Sequence, residues 1–117
     1  MTLQITRLAD ATPIHPPDHT NVQPVQLQGG DHSPTEDVTV ILSHYLPGAR
    51  AEADTMRSET VYVVVAGELF ISSDGDETTL NIYDSVRLPI GVTRVLENRS
   101  PLPTSILVIR STRTATG

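Results

Sequence analysis

The stretch Glu59-Thr60-Val61-Tyr62-Val63-Val64-Val65-Ala66-Gly67-Glu68-Leu69 decides the fold. Its β-branched and aromatic residues suit a pleated, half-buried surface, and it halts at a glycine that is followed at once by a second run, Glu68 to Ser72. Gly67 can take the positive φ that a tight hairpin requires. Two antiparallel strands are expected, the first over Thr60 to Ala66.

The same grammar extends in both directions. Val38 to Leu46 is closed by Pro47-Gly48, and Asp74-Gly75 separates Glu68–Ser72 from Thr78–Ile82. Ser85 to Leu88, Thr93 to Leu96 and Ser105 to Ile109 follow, with Pro89, Gly91 and Asn98 as punctuation. About eight to ten short strands at a spacing of about 8 to 12 residues predict an all-β sandwich or barrel. The best helical window, Ala49 to Arg57, has no apolar face of period 3.6, so no helix is expected there.

The first 37 residues differ in character. They hold five of the nine prolines, three of the four histidines and a Gly29-Gly30 pair, with short apolar groups at Leu3–Leu8 and Val22–Leu27. This reads as a strand, an irregular arm and a second strand. Residues 1–37 are therefore taken as a strand and Pro-rich arm, 38–111 as the barrel and 112–117 as a frayed polar tail.

Composition bounds the chemistry. The 117 residues carry 8 basic and 14 acidic side chains, 8 − 14 = −6, and every basic residue is Arg. The absence of Cys excludes thiol nucleophiles and thiolate metal sites, and the absence of Lys excludes Schiff-base catalysis. Scattered arginines on an acidic chain do not make the basic footprint that nucleic acid needs. No apolar run reaches the roughly 18 residues of a membrane span, and Met1 does not open a charged-then-apolar leader, so a cytoplasmic protein is expected.

Two segments together resemble the cupin superfamily of small jelly-roll barrels. Pro47-Gly48, Asp54-Thr55-Met56 and the Glu59–Leu69 stretch are similar to the first cupin motif; Asp84-Ser85-Val86-Arg87-Leu88-Pro89-Ile90-Gly91-Val92-Thr93-Arg94-Val95-Leu96-Glu97-Asn98 is similar to the second. The resemblance covers roughly Leu42 to Asn98. It implies a single-domain cupin jelly-roll β-barrel with an irregular N-terminal arm, and a homodimer in which N-terminal strands such as Leu3–Leu8 are exchanged.

The departure from the motif is as informative as the match. Where metal-binding cupins place two His, an acid and a third His, this chain has Asp54, Met56, Thr60 and Arg94. A guanidinium never deprotonates and repels a cation, so no metal and no cofactor are expected. Glu59 sits one residue early, and on a strand that offset points a side chain to the opposite face.

The resemblance implies that Asp54, Met56, Thr60, Tyr62 and Arg94 face the interior, with some of Leu42, His44, Leu46, Leu96 and Asn98. A buried Arg94 needs a partner. It either pairs with Asp54 or forms a bidentate clamp on a ligand carboxylate or enolate. Candidate catalytic residues are Asp54, Tyr62, Arg94 and His44; candidate ligand-binding residues are Met56, Thr60, Arg94, Leu96, Asn98 and His32, the last as an arm residue closing the barrel mouth. His15 and His19 are separated by Pro16-Pro17, which prevents the helix that would align them on a metal.

The leading functional expectation is a metal-independent barrel that binds a small polar or carboxylated organic molecule and catalyses proton transfer: isomerisation, dehydration, cyclisation or decarboxylation. A second is a non-catalytic binding or regulatory barrel. A third is a metal-dependent cupin enzyme with displaced ligands drawn from His32, His44, Glu59 or Asp54.

Overall fold

A computed structural model describes residues 2–114 of the chain. Nine strands follow in order: β1 (Thr12–Pro13), β2 (His19–Gln28), β3 (Val38–Thr55), β4 (Ser58–Ala66), β5 (Leu69–Ser73), β6 (Asp76–Leu80), β7 (Ser85–Leu88), β8 (Thr93–Glu97) and β9 (Thr104–Thr114). They pair antiparallel in the order β6-β5-β8-β3-β9-β4-β7, with β2 on β3 and β1 on β2, and wrap into a nearly closed jelly-roll barrel.

The Glu59–Leu69 stretch forms its expected hairpin. On β4 the inward positions are Thr60, Tyr62 and Val64, each at most 1 % exposed, as alternation along a strand requires. With Leu69, Leu96, Ile106 and Val108 they make the core, where each large apolar side chain contributes about 1.5–3 kcal/mol. Gly67 has φ +75°, and a Cβ there would lie 2.6 Å from Thr104 Oγ1 and 2.7 Å from the Pro103 carbonyl oxygen. Only glycine fits. Thr104 ties the hairpin to β9, its hydroxyl donating to the Glu68 carbonyl at 2.6 Å and accepting the Glu68 N–H at 3.2 Å.

β3 positions the rest. Its first half pairs with β9, from Val38↔Ser111 to Tyr45↔Thr104, and its second half pairs with β8, from Arg50↔Glu97 to Thr55↔Thr93. Pro47-Gly48, expected to close a strand at Leu46, is instead a corner inside one continuous strand. Gly48 takes φ +80° and donates its N–H to the Asn98 carbonyl at 2.9 Å. The Ala49–Arg57 window is not helical.

The termini correct two expectations. Leu3–Leu8 is not a strand: it runs without ladder pairing into a 3-10 turn at Leu8–Asp10, and Leu3, Ile5 and Leu8 are exposed. Within the single chain no strand lies beside it to supply backbone hydrogen bonds. Gln4 moors this segment through side-chain bonds to Gln28, Ser33 and the Pro34 carbonyl. At the other end, Thr112–Thr114 continue β9, with Ser58 paired to Thr114; residues 115–117 of the expected frayed tail lie outside the described residues. Among the described residues no helix is long and apolar enough to cross a membrane.

Candidate functional site

The barrel encloses a cavity of about 260 Å³, close to the lower end of the range of about 300–1,000 Å³ for small-molecule sites. Its walls come from β3, β4, β8 and β9, and the arm closes one side with Ile14 and the run Pro16-Pro17-Asp18-His19.

Arg94 lies at the wall of this cavity and is 2 % exposed. The ladder between β3 and β8 shifts register between Ala51 and Asp54. Such an irregularity leaves backbone groups out of the ladder. Arg94 Nη1 donates to one of them, the Glu52 carbonyl, at 2.7 Å, while its Nε donates to the Tyr62 phenol oxygen at 2.9 Å. Asp54 stands opposite Arg94 in the ladder, with its Oδ2 3.8 Å from Nη2. That is an ion contact longer than a hydrogen bond. The Asp54 side chain is 61 % exposed, so it sits at the mouth and leaves the cavity open.

Two buried residues turn hydroxyls to the same space. Ser43 and Tyr45 line the cavity at 5 % and 2 % exposure, and neither side chain has a hydrogen-bond partner among the described residues. Burial, then the neighbouring Tyr62, pushes the Tyr45 phenol well above its usual range, against a smaller opposing pull from Arg94 and Arg110. Tyr45 therefore stays an O–H donor. Tyr62 uses its oxygen to accept from Arg94, which leaves its own proton free to donate.

His19 reaches the cavity from the arm. Its Nδ1 lies 2.7 Å from the Pro17 carbonyl oxygen. A carbonyl only accepts, so Nδ1 carries a proton, and Nε2 is the ring nitrogen left to exchange one with a ligand. Asp18 and Glu52 complete the acidic rim, but the Glu52 carboxylate is engaged by Arg50 Nε at 2.7 Å.

The structure thus brings together Asp54, Tyr62, Arg94 and Leu96 of the residues expected at the site. Met56 and Thr60 are buried but line an adjoining hollow of about 300 Å³ that shares Pro17, Asp54 and Arg110 with the cavity. His44 does not share the interior. The inward set on the first half of β3 is Ile41, Ser43 and Tyr45, so His44 points outward and its Nδ1 meets Ser105 Oγ at 2.7 Å. Counting even positions backward from Asp54 and Met56 crosses the register shift and lands on the wrong face. Asn98 is buried as a brace, donating to the Tyr45 and Leu102 carbonyls and accepting from Ser100. His32 is exposed in the Gly29–Ser33 turn and is not part of the cavity wall; Asp18 and His19 occupy the mouth.

Ser43, Tyr45, Asp18 and Arg110 escaped the sequence reading, and His19 figures there only as half of a metal pair with His15. The polar alternation of Ser43 and Tyr45 in an apolar strand was the available signal. The donor set does not fit a divalent ion: a guanidinium bonded to Tyr62 and Glu52 stands where a cupin metal ligand would be, and Met56 and Thr60 face the adjoining hollow. Among the described residues, no three His, Asp or Glu side chains are grouped to hold a metal.

No family model matches the chain. It is similar to the β-D-galactosidase Rv1717 of Mycobacterium tuberculosis, with 42% identity over 106 residues, 91% of each chain. Among solved structures, it is similar to the polyketide cyclase RemF of Streptomyces resistomycificus (TM-score 0.84, 10% identity, 98% of this chain and 83% of that one). It is also similar to an RmlC-like cupin of Shewanella frigidimarina (TM-score 0.76, 18% identity, 96% and 93%). The barrel has the cupin fold of these solved structures, and the near full-length match at 42% identity makes the chain a member of the same family as the mycobacterial protein Rv1717.

Proposed function

We propose that the barrel binds a β-D-galactoside in its cavity and hydrolyses the glycosidic bond without a metal ion. The observation that carries this reading is the pair of hydroxyls of Ser43 and Tyr45, which open onto the cavity without a protein partner among the described residues, behind a rim that presents Asp54 and His19. A sugar ring matches such a wall, because its hydroxyls bond the cavity-facing hydroxyls and its C–H faces meet Ile41, Leu96 and Val108. The activity named for the mycobacterial relative supports the choice of substrate.

Glycoside hydrolysis needs one group to protonate the leaving oxygen and another to attack or to activate water across the ring. Asp54 is the second group. Its 3.8 Å contact with Arg94 keeps a carboxylate beside a positive charge. Asp18 is exposed to water and Glu52 is held by Arg50, so the proton donor is His19, which acts as the imidazolium and gives the Nε2 proton to the leaving oxygen while Nδ1 stays anchored on Pro17. Tyr62, polarised by Arg94 Nε, donates to a ring hydroxyl. Because Nε and Nη1 of Arg94 are committed to Tyr62 and Glu52, a bidentate clamp on a ligand carboxylate has lost its Nε edge.

The test is release of nitrophenol from aryl β-D-galactoside by chelator-treated protein, beside the α-anomer and the β-glucoside. Turnover of the β-galactoside that survives chelation and falls at least about 100-fold in Asp54→Asn and His19→Gln is expected. Turnover that chelation abolishes and a divalent ion restores, or no turnover together with no galactose binding, overturns it.

A further inference from the structure

We infer that the hollow beside the cavity is an anion subsite, which takes a phosphoryl or carboxylate group carried on the galactosyl unit of the substrate. This rests on the reading of the cavity as a galactoside site. Eight arginines serve a chain of net charge −6, and the described ones mostly have acidic partners: Arg50, Arg87, Arg94, Arg99 and Arg113 all contact carboxylates. Among the described residues Arg7, Arg57 and Arg110 have none. Two of those three, Arg57 and Arg110, line this one hollow.

An acidic protein that pairs most of its cations leaves two arginines without acidic partners on one concave surface. Paired N–H forks of this kind match the oxygens of a phosphate or carboxylate. Arg110 is half-buried and stands opposite Thr60 in the β4–β9 ladder. The wall between them is short and polar: Ser58 offers a hydroxyl, and Thr60 is turned to the Ser58 carbonyl at 3.0 Å. One carboxylate, Asp54, also borders the hollow, but it faces Arg94 across 3.8 Å.

The connection to the cavity gives the subsite its meaning. Pro17, Asp54 and Arg110 belong to both spaces, so a molecule seated in the cavity extends past Asp54 into the hollow. The leaving group departs on the face opposite Asp54, so the charged group is carried on the galactosyl unit itself. The substrate class is then a β-galactoside whose sugar bears a phosphoryl or carboxylate substituent.

Amide chemical shifts of the whole chain, titrated separately with inorganic phosphate and with benzoate, test this. Shifts concentrated at Arg57, Ser58, Thr60 and Arg110, weakened about tenfold in Arg57→Gln and by added salt, are expected. Whichever anion produces them identifies the group as phosphoryl or carboxylate. An absence of such shifts with both anions, or shifts unchanged in Arg57→Gln, overturns the subsite. Shifts without turnover of any galactoside leave the anion subsite standing and sink the glycosidase reading; turnover without shifts sinks the subsite alone.

Discussion

Arg94 and Tyr62 form one unit: the guanidinium Nε–H donates to the phenol oxygen at 2.9 Å with both side chains buried. The strands that carry them, β8 and β4, are not neighbours in the sheet, so this bond reaches across the barrel interior. It turns a buried cation from an electrostatic penalty into a fixed wall, and it leaves the Tyr62 proton available to a ligand.

Arg94→Leu tests what the unit contributes to stability. Removing a partner from a buried ion pair costs about 3–5 kcal/mol when a charge is stranded inside. Asp54 is largely exposed, so no buried charge is stranded; the Tyr62 oxygen and the Glu52 carbonyl lose a donor instead. A loss of about 2–3 kcal/mol in urea unfolding is expected, with about 1 kcal/mol for Tyr62→Phe. A loss above about 5 kcal/mol would show that Asp54 is more deeply coupled to Arg94 than its exposure indicates.

Tyr45→Phe separates ligand contact from packing. The ring stays buried and the removed hydroxyl has no protein partner among the described residues, so unfolding stability changes by less than about 0.5 kcal/mol. Galactoside affinity falls about tenfold, because a donor is lost from the cavity wall. Calorimetric titration of the two proteins with a galactoside reads the difference.

The same residue makes the fold sensitive to alkali. The Tyr45 phenol is raised from 10.0 in the folded chain, chiefly by burial. A raised value favours the protonated form when folded, so this contribution is fully present below pH 10.0 and is lost as the pH rises beyond it. The wild-type barrel loses stability steeply in that range, and Tyr45→Phe removes part of the slope. Unfolding free energies measured at a series of alkaline pH values check this, and identical slopes would refute it.

Gly67→Ala is expected to be among the most damaging single-methyl changes. The new Cβ meets Thr104 Oγ1 and the Pro103 carbonyl well inside contact distance, at a φ that L-residues avoid. Strain of about 1–3 kcal/mol adds to disruption of the Thr104 bonds to Glu68. Thermal melting reports the loss, and Gly75→Ala, where a Cβ meets nothing within 4 Å, is the milder comparison.

What the sequence by itself determined is the barrel: valine-rich runs, Gly67, Gly48 and Gly91 at positive φ, and the alternation that buries Thr60, Tyr62 and Val64. These are local preferences of the chain, readable within a few residues. Arg94 was also legible, because a permanent cation in an apolar strand demands partners. Tertiary structure alone decided which partners it has and who shares its cavity. The register shift between Ala51 and Asp54 arises from pairing with β8, and it reverses which β3 positions point inward, so Ser43 and Tyr45 enter the site and His44 leaves it. His19 reaches the mouth because it pairs with Ala51, 32 residues along the chain. Strand parity is local, but its phase is set by cross-strand partners that no short window of sequence contains.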